Sequence, residues 1–214
     1  MSPLIKICGM RESDNIKAVA ELKPDFMGFI FYSGSSRFAG DMLKPEILSG
    51  LPGDIRKTGV FVNAEFNEII SIVGKYSLNA VQLHGDESPL LCHRIKNYGM
   101  QVIKVFNISE KMSFAKCSDF IDCTDYFLFD TLTAKHGGSG EKFDWKLIDK
   151  YDIGHPFFLS GGIGPMDTDQ INGITNPFFS GIDINSRFEI RPGLKDTEKL
   201  DHFINKLRHY HKLL

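Results

Sequence analysis

The chain has little that would tie it to a membrane, to nucleic acid or to an oxidising compartment. No apolar run approaches the roughly 20 residues of a membrane-spanning helix. The first residues, M-S-P-L-I-K-I-C-G, do not carry the basic, apolar and small-residue regions of a secretory signal. The formal charge is only -2, with basic and acidic residues intermixed, which leaves no electrostatic footprint for nucleic acid or an anionic surface. Cys8, Cys92, Cys117 and Cys123 contain no C-x-x-C pair, so neither a disulfide framework nor a zinc site is favoured. These absences lead to the expectation of a cytoplasmic protein with free thiols and a small-molecule partner. The glycine fingerprint G-x-G-x-x-G is also missing after the first strand-like run, which counts against an open doubly wound dinucleotide fold.

What is present is rhythm. Apolar runs that read as strands end near Cys8, Phe31, Val62, His84, Phe106, Asp130, Ser160 and Ile184. Polar or amphipathic stretches fill the intervals, which average about 25 residues, the size of a parallel βα unit. About eight such units in 214 residues, 42% of them hydrophobic, predict a single (β/α)8 barrel over residues 1–214. Helices are predicted over Ser13–Leu22, Ala64–Tyr76, Glu87–Tyr98 and Asp196–His211, with Asn63 and Asp196 as caps. Segment 107–125 is ambiguous: Ser109–Cys117 has helical character, while the residues after it carry mixed signals. Trp145 is expected to begin or support the sixth helix.

In such a barrel, active groups gather at the C-terminal rim, and residues two apart on a strand share a face. Lys6 and Cys8 would therefore point inward together. A cationic neighbour favours the thiolate that a cysteine base requires; the plainer reading makes Cys8 a small buried hydrophobe. Asp130 ends Y-F-L-F-D, where partial desolvation would raise its pKa and let it donate a proton; it could equally cap a turn. Asp183, in G-I-D-I-N-S, is a further inward carboxylate whose plain role is an ion pair with Lys6. Glycine-bearing loops at 137–140, 161–164 and 185–193 follow the sixth, seventh and eighth strands, where barrels often hold phosphate. Arg37, in S-G-S-S-R-F, could grip a carboxylate, although alone it reads as an exposed loop arginine. His84 reads as structural, Met27 and the phenylalanines as packing, and His202, His209 and His211 as exposed on the last helix.

Taken together, K-I-C-G, S-S-R-F, G-V-F-V-N, V-Q-L-H-G-D-E, L-F-D-T, H-G-G-S-G-E-K-F-D-W, L-S-G-G-I, G-I-D-I-N-S-R-F-E and P-G-L-K-D appear in the order of one family. Over nearly its whole length the chain resembles phosphoribosylanthranilate isomerase, of tryptophan biosynthesis. The resemblance implies a barrel enzyme, with neither metal nor organic cofactor, that performs an Amadori rearrangement. It implies Cys8 as general base and Asp130 as general acid. It also implies Arg37 near the anthranilate carboxylate, Asp183 near the sugar hydroxyls, and Gly138, Gly140, Gly161, Gly162, Asn185 and Ser186 among the substrate-binding positions. N-S-R-F-E departs from the more familiar S-S-G-V-E and sets Arg187 where glycine is usual, to act as a cation beside the phosphate or to pair with Glu189. His136 stands where tyrosine is often found. Other phosphosugar barrels, such as an isomerase of histidine synthesis or an indole-forming synthase, share such a cradle, but a thiol base on the first strand argues against both. A binding protein without turnover is the competing class. Both a monomer and a homodimer remain open.

Overall fold

Eight short apolar runs become eight parallel strands because each is buried on both faces, by the barrel interior and by the surrounding helices. The computed structural model describes residues 2–40, 42–109, 113–131 and 145–210. The strands are β1 (Leu4–Ile7), β2 (Phe26–Ile30), β3 (Arg56–Phe61), β4 (Ala80–Leu83), β5 (Gln101–Ile108), β6 (Tyr126–Thr131), β7 (Phe157–Leu159) and β8 (Phe179–Ile184). They pair in chain order, and β8 returns to β1 with Lys6 opposite Asp183 and Ile7 opposite Ile184, so the sheet closes. This bears out the barrel and excludes the open sheet. A small antiparallel hairpin, β9 (Glu189–Arg191) and β10 (Leu194–Lys195), follows β8.

Side-chain alternation divides the core in two. Phe26, Ile103, Val105, Leu128 and Phe158 pack together inside the barrel, with Leu4 and Tyr126 against them. The larger cluster lies between strands and helices and includes Met27, Phe29, Phe127, Phe129 and Phe157. Met27 thus makes the expected helix-side contacts. Above the inner phenylalanines the barrel turns polar: Lys6, Thr58, Gln82 and Asp183 are all buried.

The helices follow their apolar spacing. In α1 (Ser13–Ala20) the buried residues include Ile16, Val19 and Ala20, and in α3 (Phe66–Tyr76), which follows α2 (Pro45–Ser49), they are Ile69, Val73 and Tyr76. The α4 helix (Pro89–Asn97) starts with Pro89 and the Ser88 hydroxyl, which accepts the Leu91 N–H at 3.4 Å. After α5 (Thr168–Asn172), the last helix, α6 (Thr197–Tyr210), buries Leu200, Phe203, Ile204 and Leu207. Asp196 caps α6 as expected, its Oδ1 accepting the Lys199 N–H at 3.0 Å. Asn63 does not cap α3. It adopts φ +52°, and its side chain accepts the Asp86 N–H at 2.7 Å, joining two rim loops instead. In the ambiguous stretch β5 runs on to Ile108, and a 3-10 helix covers Phe114–Cys123, later than the Ser109 start expected of it. Trp145 opens another 3-10 helix, Trp145–Lys150. His202 and His209 are exposed on α6. No helix among the described residues is long and apolar enough to cross a membrane.

Candidate active site

The mouth of the barrel is built around Lys6. Its ammonium is fully buried, 2.9 Å from Asp183 Oδ2, and shares the space beside Gly28 with the Cys8 thiol. Gly28, the inward position beside it on β2, makes the room. A Cβ there would stand 2.8 Å from Cys8 Sγ and 3.2 Å from Lys6 Nζ. The inward pair predicted on β1 is therefore present, and so is the Lys6–Asp183 ion pair.

Burial and charge set the protonation of this cluster. Burial disfavours the Lys6 ammonium, yet Asp183 and Cys8 together hold its pKa above the ordinary lysine value. Burial pushes the Cys8 thiol up; Lys6 pulls it back, Asp183 pushes it further, Lys195 pulls it back, and the net direction is upward. The expected help from Lys6 is real but smaller than the desolvation. The Asp183 carboxyl is likewise raised by burial, opposed by Lys6, with neighbouring Asp130 adding to the rise. In the sheet β6 is nearly opposite β1, and the charge of Asp130 acts on Asp183, which pairs with Lys6 beside Cys8.

His84, which reads from the sequence as structural, makes a contact that the sequence does not show: its Nε2 reaches 3.5 Å from Asp130 Oδ2 across the mouth, and its Nδ1 is 3.3 Å from Gln82 Nε2. The available signal was its place: His84 directly follows β4, two positions after inward Gln82. Arg37 is also not the exposed loop residue its sequence suggested. Its Nε and Nη2 donate to both oxygens of Glu189 at 2.7–3.0 Å. Neither Glu189 nor Lys195, whose Nζ is 2.8 Å from Glu189 Oε1 and 2.6 Å from Asn185 Oδ1, was singled out as a site residue by the sequence.

The loop after β7 carries two consecutive left-handed glycines, Gly161 at φ +85° and Gly162 at +69°, a conformation that needs glycine. In the same loop the Gly164 N–H is donated to Asp167 Oδ2 at 2.6 Å. Ser186 opens a short 3-10 turn after β8, and Asn185 precedes it. Exposed Arg187 runs beside Gly164, while Glu189, its suggested partner, receives Arg37, Lys195 and the Gly193 N–H. Gly138, Gly140 and His136 lie outside the described residues. No group of three or more metal-ligating side chains occurs among the described residues.

Comparison with known proteins points to one family. The family model described as N-(5'-phosphoribosyl)anthranilate (PRA) isomerase matches residues 5–206. N-(5'-phosphoribosyl)anthranilate isomerase of Parabacteroides distasonis is 44% identical, with 96% of this chain and 94% of that protein covered. The Phocaeicola vulgatus protein of the same name is 39% identical, with 96% and 98% covered. The crystal structure of phosphoribosyl anthranilate isomerase from Thermotoga maritima superposes with a TM-score of 0.84 at 33% identity, covering 97% of this chain and 99% of that one. A further structure of such an isomerase, in complex with reduced 1-(o-carboxyphenylamino)-1-deoxyribulose 5-phosphate, gives 0.81 at 31% identity, with 97% and 99% covered. Barrel, matched length and identity agree: the chain belongs to the N-(5'-phosphoribosyl)anthranilate isomerase family.

Proposed function

We propose that Cys8 and Asp130 are the base and acid with which this isomerase of tryptophan biosynthesis rearranges N-(5-phosphoribosyl)anthranilate to 1-(2-carboxyphenylamino)-1-deoxyribulose 5-phosphate. The observation that carries the assignment is the buried Lys6 ammonium, paired with Asp183 and adjacent to Cys8, at a mouth where the Asp130 charge acts on Asp183. Asp130 gives its proton to the furanose ring oxygen as the C1′–O bond breaks, and the anthranilate nitrogen lone pair forms a protonated Schiff base at C1′. Cys8 then takes the C2′ proton, and the C–H electron pair becomes the double bond of an enolamine. Tautomerisation, with proton return to C1′, yields the C2′ ketone.

The environment suits each step. A buried thiol that remains protonated in the ligand-free protein becomes a thiolate beside an ammonium that Asp183 and Cys8 keep charged. His84, 3.5 Å from Asp130, is suited to orient the acid. Asp183 has one oxygen on Lys6, while Oδ1 has no hydrogen-bond partner among the described residues; that oxygen is suited to a sugar hydroxyl. Arg37 faces the ring carboxylate in this reading. Gly161, Gly162, Asn185 and Ser186 face the phosphate in this reading, and Arg187 adds a cation there; Gly138 and Gly140 join them only through the resemblance of their loop sequence. The side-chain oxygen of Asn185 already serves Lys195, so its amide is the part left for substrate.

Loss of anthranilate fluorescence during turnover tests the couple. Cys8→Ser and Asp130→Asn are each expected to lower kcat by roughly 10²–10⁴-fold while remaining folded. Parent-like turnover in either folded variant removes that residue's role, and a parent that binds without converting is a binding protein. Arg187→Ala is expected to weaken a phosphate analogue most at low salt, and unchanged affinity eliminates the direct contact. A cytoplasmic location and a homodimer belong to the same proposal. The first is supported by four free, buried cysteines, and the second by a Thermotoga maritima relative described as dimeric. Light scattering at twice the 24.1 kDa of one chain supports pairing, and a mass at 24.1 kDa overturns it.

A further inference from the structure

The Arg37 side chain is fixed before any ligand arrives. Its stem crosses Gly9, where φ is +77° and a Cβ would stand 2.8 Å from Arg37 Cδ and 2.7 Å from Asn185 Oδ1. Its guanidinium presents one edge, Nε and Nη2, to Glu189: Nε donates at 2.9 and 3.0 Å and Nη2 at 2.7 Å. The other edge, Nη1 with the second Nη2 hydrogen, has no hydrogen-bond partner among the described residues. A planar guanidinium can hold two carboxylates at once, one on each such edge.

Glu189 is itself anchored. It accepts from Lys195 Nζ at 2.8 Å and from the Gly193 N–H at 3.0 Å. Lys195 is tied through its backbone to Asn15, whose amide accepts the Lys195 N–H at 2.8 Å and donates to its carbonyl at 2.9 Å. Burial acts against the charge on Glu189, but Arg37 and Lys195 outweigh it and hold the carboxyl below its ordinary range, so it stays ionised at neutral pH. Two cations around one carboxylate leave one positive charge without a counter-charge inside the cluster. Arg37 carries the accessible part: its side chain is 11% exposed, against 4% for Glu189 and 0% for Lys195.

We propose that Glu189 is a positioning residue for ring-carboxylate recognition: by occupying one edge of Arg37, it aims the other edge at the carboxylate of the substrate's aromatic ring. The proposal rests on the reading of Arg37 given above and extends it to specificity. The enzyme discriminates between a carboxylated and a plain phenyl ring through a residue that does not touch either.

Calorimetric titration with reduced 1-(o-carboxyphenylamino)-1-deoxyribulose 5-phosphate, and with its analogue bearing phenyl in place of carboxyphenyl, separates the possibilities. Glu189→Gln is expected to weaken the carboxylated ligand by about tenfold and to leave the phenyl analogue at parent affinity, which also certifies the fold. Glu189→Asp, which keeps the charge on a shorter arm, is expected to fall between. In turnover, Glu189→Gln is expected to raise KM with little change in kcat. Equal weakening of both ligands means a structural role and overturns the proposal. Unchanged or tighter binding of the carboxylated ligand also overturns it, since Glu189 would then be idle or a competitor for Arg37. Arg37→Met tells the two readings apart: if it preserves the preference for the carboxylated ligand, the fault lies with the role of Arg37 and not with its support.

Discussion

Two buried lysine–carboxylate pairs of equal length sit on the two faces of the barrel wall. Lys6–Asp183 lies inside, Lys104–Glu87 lies outside behind β5, and each measures 2.9 Å. The outer pair is saturated. Lys104 Nζ also donates to the carbonyl of Gly85 at 2.7 Å, with longer bonds to those of Leu83 and Val105, and Glu87 accepts the N–H groups of Asn63 and Gly85. The inner pair holds polar capacity in reserve, since Asp183 Oδ1 has no hydrogen-bond partner among the described residues and the thiol beside Lys6 can change its charge. A satisfied network rigidifies, whereas an unsatisfied buried group is costly unless a ligand completes it. The same pair of residue types thus serves architecture in one place and, in the proposed mechanism, chemistry in the other.

The strongest way to break the contrast is to cut the outer pair. Glu87→Ala strands a buried ammonium and is expected to lower unfolding free energy by about 3–5 kcal/mol, with kcat per folded molecule unchanged. Urea titration alongside turnover checks this, and a large drop in kcat would make the outer pair functional too. Lys6→Met is the converse. We expect kcat to fall by about 10²-fold, with the basic limb of the kcat/KM pH profile moved upward, because losing the cation leaves the Cys8 thiol still harder to ionise. An unmoved limb would separate Lys6 from the base. His84→Gln is expected to lower kcat by about tenfold, through loss of its 3.5 Å contact with Asp130, while sparing stability. Parent-like kcat would leave His84 with the structural role its sequence suggests.

The smallest effect concerns the thiols near the outer pair. Burial raises Cys92 and Cys117 to about 12 from the usual value near 9. Above pH 9 the unfolded chain releases these protons while the native state keeps them, so stability is full below that pH and declines as pH rises toward 12. Each thiol is expected to contribute less than about 1.4 kcal/mol per pH unit to that decline. Cys92→Ala should flatten the slope of stability between pH 9 and 10, and an unchanged slope refutes the assignment.

Much of this was legible in advance because it is local. Strand ends at Cys8, Asp130 and Ile184 were marked by apolar runs that stop, and the inward pairing of Lys6 with Cys8 follows from a two-residue repeat. The Asp196 cap could be read from a polar residue before an apolar helix. Asn63 misled because a polar residue ahead of a helix can serve a turn as easily as a cap, and its partner, Asp86, lies in a different loop. Glu189 and Lys195 were not singled out because their value depends on Arg37, which is 152 positions from Glu189. The His84 contact was hidden for a similar reason: the Asp130 it meets belongs to another strand.

By itself the sequence determined the number and order of the barrel strands, the closure that about eight βα units favour, and the thiol and carboxyl at their ends that are proposed as base and acid, since periodicity and strand termination act between near neighbours. Tertiary structure alone decided that burial outweighs Lys6 at the Cys8 thiol, that Glu189 holds Arg37, and that one lysine–carboxylate pair is saturated while the other is not. Those outcomes depend on solvent exclusion and on which distant side chains share a cavity, quantities that exist only once the barrel has closed.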